Sequence, residues 1–451
     1  MQGVRSTSSL NAIKKLPPPT NHLIASELPI YIEKQLKSHS RYILCYKHLL
    51  NQHRNTFVKR DTLIDTEQRV ALILTAMEKG FRIEFHTLMN LKRSYESTLF
   101  NLREEMQGKL GSAIRVNSNR DLGNLLFNNL GLSPLRRTPT GNSSASIDVL
   151  ERLRDSYSDV YPFLKSVIEF KNAQSLIKSV KTISKKLDLQ DRIHPEFNHS
   201  TCPTGRIYSY IQNLPKEVRK VLIPDEEGNA FIELDWSQQE LRILAALSQE
   251  PVFLDCLDRN EDLHKRVISE MFHKPIFEVK DEERKIGKTI NYALIYGQEA
   301  PGLSWKLNIP LKKAQELIDQ YFLSLLMIRK FKDESRERFL SEGYSETAFG
   351  RKTQLDLIGS KRARELRRGF NHIFQGTGAD ILRMTLVRLN EALVGQMAKL
   401  KFCAHDAIYI EAKEELSEEI GELAKSIMEI EFKGVRLPVT VKIHNNLSMG
   451  D

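Results

Sequence analysis

Two runs of alternating apolar and polar residues, 399–404 (KLKFCA) and 407–412 (AIYIEA), flank His405 and Asp406. A period of two marks extended chain, with side chains pointing to opposite faces in turn. Two such runs joined by two residues read as a β-hairpin with an aspartate at its turn. A further apolar run, AFIEL (230–234), ends on Asp235, and a helical pattern begins near Gln239. Helical patterns dominate between these points. The expected fold class is therefore α+β: a small antiparallel sheet carrying carboxylates, surrounded by helices.

The rest of the chain fits a globular protein of several subdomains, and no internal repeat is visible. Residues 1–22 are polar and hold the run Pro17-Pro18-Pro19, a tail or linker. From His22 to about Gln107 the pattern is mostly helical, with Val70, Leu72, Ile73, Leu74 and Met77 as an apolar stripe before Gly80. The segment 132–146, rich in Ser, Thr, Pro and Gly, separates helical patterns and carries Arg136 and Arg137. It reads equally as a mobile tip touching a phosphate backbone or as a solvated connector. Lys and Arg (67) exceed Asp and Glu (58), a net charge of +9. That excess suits a polyanionic partner without requiring one. The four cysteines lie far apart, so a zinc site or disulfide framework is not expected. No apolar stretch suggests a signal peptide or a membrane span, and a protein that is not secreted is expected.

Two acids at strand ends could meet on one sheet and share two divalent cations, which phosphoryl transfer uses to align its nucleophile and neutralise its leaving group. A lone aspartate at a strand end is more often a turn or helix-cap residue. In ERKIGKTINYALIYGQ, however, Arg284, Lys288, Tyr292 and Tyr296 recur every four residues and share one helix face, with Gly297 as the stop. Cations followed by aromatics suit a triphosphate with its sugar and base. The plainer alternative is an amphipathic helix with solvated cations, its core face formed by Ile286, Ile290 and Leu294. A second strip, Arg367, Asn371 and Gln375, suits phosphate and minor-groove contacts, or is ordinary helix surface. The basic residues Arg351, Lys352, Lys361, Arg362 and Arg364 read as a charged face or as a track for a nucleic-acid backbone.

In their order, these segments resemble the polymerase domain of family A DNA polymerases, the bacterial DNA polymerase I type. DWSQQELR (235–242) is similar to motif A, RKIGKTINYALIYG (284–297) to motif B, and HDA (405–407) to motif C, usually H-D-E. TGRIYSYIQNLP (204–215), EDLH (261–264), GYSETAFGR (343–351) and FQGTGADI (374–381) match further segments. The likeness runs from residue 65 to the C-terminus, over three-quarters of the chain. It implies a right-hand architecture: palm over 191–258 and 351–451, fingers over 259–350, thumb over 95–190. A helical region over 25–94 and a tail over 1–24 would precede these.

The resemblance also implies roles. Asp235, Asp406 and the backbone carbonyl of Trp236 would bind two Mg²⁺ ions, for which Mn²⁺ can substitute. Arg284, Lys288 and His264 would hold the incoming dNTP, Lys288 also protonating the departing pyrophosphate. Tyr292, Tyr296 and Gln238 would border the nucleotide, and Glu240 would reject ribonucleotides. Arg206, Gln212, Asn213, Asn371, Gln375 and His405 would lie along the minor groove of primer–template DNA, with Arg367 close by. Ala407 departs from the usual glutamate, so weakened or retuned metal binding is expected. Trp236 replaces Tyr or Phe, and the segment from Arg206 to Gln212 is shorter than usual.

The residues ahead of the match are too few for a proofreading exonuclease. A DNA polymerase of replication or repair without proofreading is therefore expected, either a natural short enzyme or a piece of a longer one. It would act as a monomer in the cytoplasm of a bacterium or of a virus or plasmid host, with RNA templates left open. The rivals are a phage-type single-subunit RNA polymerase and a catalytically weakened primer–template-binding factor.

Overall fold

The computed structural model describes residues 57–110, 118–138, 140–157 and 160–447. The tail expected over 1–24 and the helical reading of 25–56 lie outside them. The first described helix, α1 (Phe57–Met77), buries Val70, Ile73, Leu74 and Met77 but leaves Leu72 half exposed. The four buried residues have the i, i+3, i+4, i+7 spacing of one helix face, which Leu72 does not share. Gly80 (φ 81°) turns the chain so tightly that a Cβ there would lie 1.9 Å from the carbonyl oxygen of Ile193.

The strand Phe81–Ile83 pairs antiparallel with Arg192–Ile193 and Leu222–Ile223. From this base α2 (Phe85–Leu110) leads outward and α3 (Phe163–Lys186) leads back. The division expected between 94 and 95 falls inside α2, a continuous helix. Between the two helices lie the helix Asn119–Gly123, a π-helical turn over Asn124–Asn129 and the helix Ile147–Tyr157. This arm has its own apolar core, including Leu122, Leu126, Val149, Leu153, Leu164 and Val167, separate from the main one.

The main sheet has four antiparallel strands: β1 (Asn229–Trp236), β2 (Ala398–Ala404), β3 (Ala407–Lys413) and β4 (Val439–His444), in the order β4-β1-β3-β2. The fold is the α+β class expected. After β1 come α4 (Gln239–Ser248), α5 (Leu263–Phe272) and α6 (Asp281–Ile295), and later α7 (Arg362–Ala392) and α8 (Ser417–Met428). α8 covers one face of the sheet: a Cβ on Gly421 would touch Val441 and Ile232, and the Trp236 ring donates from Nε1 to the carbonyl of Met428 at 3.0 Å. Alternation turns Asp235 and Glu233 to the other face. Among the described residues, no helix is long and apolar enough to cross a membrane.

A buried charge cluster ties α1 to the rest. Glu67 accepts from Arg351 Nη2 at 2.5 Å and faces Arg383 Nε at 2.7 Å, while Arg351 Nε donates to Asp380 at 2.7 Å. Burial pushes Glu67 up, but Arg383, Arg351 and His199 outweigh it and hold the carboxyl well below its usual range. Arg351 is thus a buried structural cation, which corrects its reading as part of a solvated or backbone-tracking face. Its charge is consumed inside the fold.

Removing one partner of a buried ion cluster leaves the other charges uncompensated. Glu67→Ala should therefore cost about 3–5 kcal/mol of unfolding free energy, measured by urea denaturation. Leu72→Ala, half exposed on the same helix, should stay within about 0.5 kcal/mol. Equal costs would refute this account of the cluster.

Candidate active site

The site is built where β1 ends beside the β2–β3 turn. Asp235 is the direct cross-strand partner of Ala407, and Ala404 pairs with Ala407 across the two-residue turn His405–Asp406. Residues from distant parts of the chain thus become neighbours through ladder register. His405 takes a left-handed backbone (φ 56°) at the first turn position, which aims the turn.

The two carboxyls share a half-buried space. Asp235 is pushed up to about 7, by burial first and then by the charges of Asp406 and Glu233, against Lys442. Asp406 is pushed up to about 6 by burial and by Glu240, with its own backbone hydrogen bond and Arg206 opposing. In such a site burial and negative charge outweigh the positive charge of Lys442 and Arg206. Glu233, one pleat from Asp235 on the same face, is buried and bonded to His444 Nε2 at 2.9 Å. Ala407 adds no acid.

Among the described residues no three His, Cys, Asp or Glu side chains form a ready cage for a metal. The donor set is thus two oxygens-only side chains, Asp235 and Asp406, to be completed by backbone and solvent. That chemistry fits a hard divalent cation, and the mutual repulsion of the carboxyls is what such an ion would relieve. The Trp236 ring is committed to the α8 face, so only its main chain remains for the site.

Across from the acids stands α6. The phenol of Tyr292 is pushed up to about 12, by burial first and then by Glu240, Asp406 and Asp235, which sets all three acids around its ring. Tyr292 and Tyr296 stack with centroids 6.2 Å apart. Tyr296 donates its hydroxyl to Glu240 Oε2 at 2.5 Å, and Arg206 pairs with Glu240 Oε1. Glu240 sits in the first turn of α4, after Gln238 at a left-handed φ of 54°. Gly297 (φ 68°) ends the helix as expected. Ile290 and Leu294 are buried as expected, but Ile286 is 39% exposed.

Further along α6, Lys288 is exposed with no carboxylate partner among the described residues. Arg284 donates from Nε to Asp262 Oδ2 at 2.7 Å. Asp262 also caps α5, accepting from the amides of His264 and Lys265 at 2.9 Å. The His264 ring is 2% exposed and pushed down to about 4 by burial, against the pull of Asp262, so it is neutral at pH 7. Its Nδ1 faces Asn291 Nδ2 at 3.0 Å, which leaves the proton on Nε2. A neutral imidazole can give a hydrogen bond to an anion but no charge.

The remaining expected residues are dispersed around this centre. Gln212 is buried and donates from Nε2 to the carbonyls of Ile207 and Cys403, while Asn213 is exposed. Asn371 and Gln375 are half-buried on α7. Arg367 lays its stem over Gly297 and donates to Glu299 Oε1 at 2.6 Å. Sequence reasoning missed Asp262 and Asn291. Asp262 had a signal, an acid two residues before His264 at a helix start; Asn291 had none.

The model of DNA polymerase family A matches residues 85–450. The thermostable DNA polymerase I of Thermus aquaticus is 32% identical over 406 residues, 86% of this chain and 47% of that protein. DNA polymerase I of Streptococcus pneumoniae serotype 4 is 32% identical over 396 residues, 82% of this chain and 44% of that protein. The chain spans about half the length of the curated relatives it matches. Among solved structures, the polymerase domain of Pol1 from M. smegmatis, in complex with DNA primer-template and dNTP, superposes with a TM-score of 0.80. Its identity is 27%, covering 85% of this chain and 70% of that one.

The raised acids make stability depend on pH and cation. Both carboxyls lie above the ordinary aspartate value of 3.8, so the folded state holds their protons more tightly than the unfolded chain. Their contribution is full below that value and is lost as pH rises through about 6 and 7. A divalent cation binds the ionised pair. By scanning calorimetry, Mg²⁺ should raise Tm by a few degrees above the folded pKa values and not below them. Asp406→Asn should remove that response and raise the metal-free Tm in alkaline buffer. An undiminished Mg²⁺ response in this variant would put the ion elsewhere.

Proposed function

The chain belongs to DNA polymerase family A, and on that premise we propose that it extends a DNA primer along a template. Each addition forms a bond from the primer 3′ oxygen to the α-phosphorus of a dNTP and breaks the bond to pyrophosphate. The observation that carries the reading is the meeting of Asp235 and Asp406 at one end of the sheet's two central strands, with α6 across from them. Divalent metal dependence follows from the family, and Mg²⁺, with Mn²⁺ as substitute, is the ion proposed. When bound, the ions would lower the charge barrier and activate the 3′ hydroxyl.

The protein's own residues do the rest. Asp235, Asp406 and the main chain of Trp236 hold the cations. Lys288, with no acidic partner among the described residues, meets the triphosphate and supplies a proton to the leaving pyrophosphate. Arg284, oriented by Asp262, adds a second fixed cation, and His264 adds a neutral Nε2 donor. Tyr292 and Tyr296 give the base and sugar a flat wall, with Gln238 at its edge. Glu240, held by Arg206 and Tyr296, crowds the sugar 2′ position. Arg206, Gln212, Asn213, Asn371, Gln375, His405 and Arg367 line the path of the duplex. A single chain suffices for all these roles. The α2–α3 arm is the thumb, the sheet the palm, and α5 with α6 the fingers, working in a bacterial or virus-host cytoplasm.

Primer extension tests the reading. Wild type should add dNTPs far faster than rNTPs, and Glu240→Ala should narrow that preference. Asp406→Ala should lower the rate by roughly 10²- to 10³-fold or more while primer–template binding, read by anisotropy, changes little. Duplex binding without nucleotide addition in Mg²⁺ or Mn²⁺ would favour a binding factor. Preferential use of rNTPs would favour an RNA polymerase.

A further inference from the structure

The arm formed by α2 and α3 touches the rest of the chain at two ends. Its base joins the small sheet through Phe81–Ile83 and Arg192–Ile193. At 26 residues α2 is long, about 39 Å at 1.5 Å per residue. At the far end, the Arg152 guanidinium lies 3.8 Å from the ring centroid of Trp305 and donates from Nη1 to Asn308 Oδ1 at 3.1 Å. Arg136, held by Asp148 at 3.1 Å, lies 5.7 Å from the same ring.

Trp305 and Asn308 belong to the helix Ala300–Leu307 and its cap, just beyond α6. That helix sends Ala300 and Leu303 into the main core, while Trp305 packs against the separate core of the arm. One short helix therefore reaches two bodies that otherwise meet at the arm's base. The loop arginine that sequence reading offered to a phosphate backbone, Arg136, is turned instead toward this ring.

We propose that Arg152 and Trp305 form a latch between the arm tip and the fingers, closing the nucleic-acid cleft into a ring. The proposal rests on the polymerase reading. A duplex inside such a ring leaves by sliding along its axis or by waiting for the latch to open. Guanidinium stacking joined to one hydrogen bond is weak enough to open on its own, worth roughly two- to fivefold in the open–closed equilibrium. A large apolar contact would not release. The latch therefore acts on how long primer–template stays bound and leaves the chemistry at Asp235 and Asp406 untouched.

The test uses the full chain with Arg152→Ala, Arg152→Lys and Trp305→Phe. The chain has two tryptophans, and Trp236 is buried, so subtracting the Trp305→Phe signal isolates Trp305. Without DNA, Arg152→Ala should make Trp305 more accessible to acrylamide quenching. In stopped flow, a labelled primer–template chased into a heparin trap should leave Arg152→Ala roughly two- to fivefold faster, with association quickened by a similar factor and single-turnover rates unchanged. Arg152→Lys keeps the charge but loses the planar fork, so it should also dissociate faster.

Unchanged quenching in Arg152→Ala would overturn the latch. So would slower association with unchanged dissociation, rescued by Arg152→Lys, since that pattern marks a phosphate contact. A wild type that binds no primer–template sinks the polymerase reading and the latch with it. Normal binding with unchanged dissociation sinks the latch alone.

Discussion

In the β1–β3 ladder Asp235 stands opposite Ala407, one residue from Asp406, and the site depends on that register. A slip of one residue would turn Asp235 toward α8, beside Val441 of β4, and put Ile232, Leu234 and Trp236 on the open face. Three features lock the register. The apolar face is packed on α8, the Trp236 ring is bonded to Met428, and the two-residue turn fixes β2 against β3. The acids come together because the opposite face of the sheet is hydrophobic. Repulsion, visible in the raised value of Asp235 beside Asp406, works against the meeting.

The same economy recurs in the surrounding polar groups. Glu240 joins α4, the segment at Arg206 and the end of α6 through one carboxylate with two partners. Asp262 joins α5 to α6 by capping one helix and holding a cation of the other. Gly287 has no side chain because a Cβ would come within 2.4 Å of the His264 carbonyl oxygen. α5 and α6 are therefore close-packed, and His264 and Arg284 keep a fixed spacing. The cluster of Glu67, Arg351, Arg383 and Asp380 does for the scaffold what these contacts do for the site.

Much of this was legible in the sequence, for identifiable reasons. A period of two survives any environment, so the β2–β3 hairpin and its aspartate could be read directly. The strip of Arg284, Lys288, Tyr292 and Tyr296 was legible because four-residue spacing maps onto one helix face. What escaped depends on partners remote in sequence. Arg351 looks like its basic neighbours until Glu67, from α1, is placed beside it. His264 looks like a cation until burial makes it neutral. Leu72 and Ile286 look like core because composition marks them as apolar, while the angular position that exposes them differs by a single step of the helix. The division at 94 and 95 falls within α2, which carries no internal break.

His405 holds a left-handed backbone at a position where glycine would rest at no steric cost. An imidazole there carries a standing conformational penalty on the order of 1 kcal/mol. Selection for thermal robustness alone would drift this codon toward glycine or asparagine and would leave the hairpin intact. A ring at the tip, next to Asp406, means the scaffold tolerates a local strain at this turn. The position is therefore a sensitive indicator of what a laboratory lineage is being selected for: heat tolerance alone erodes it, and any use of the ring beside Asp406 preserves it.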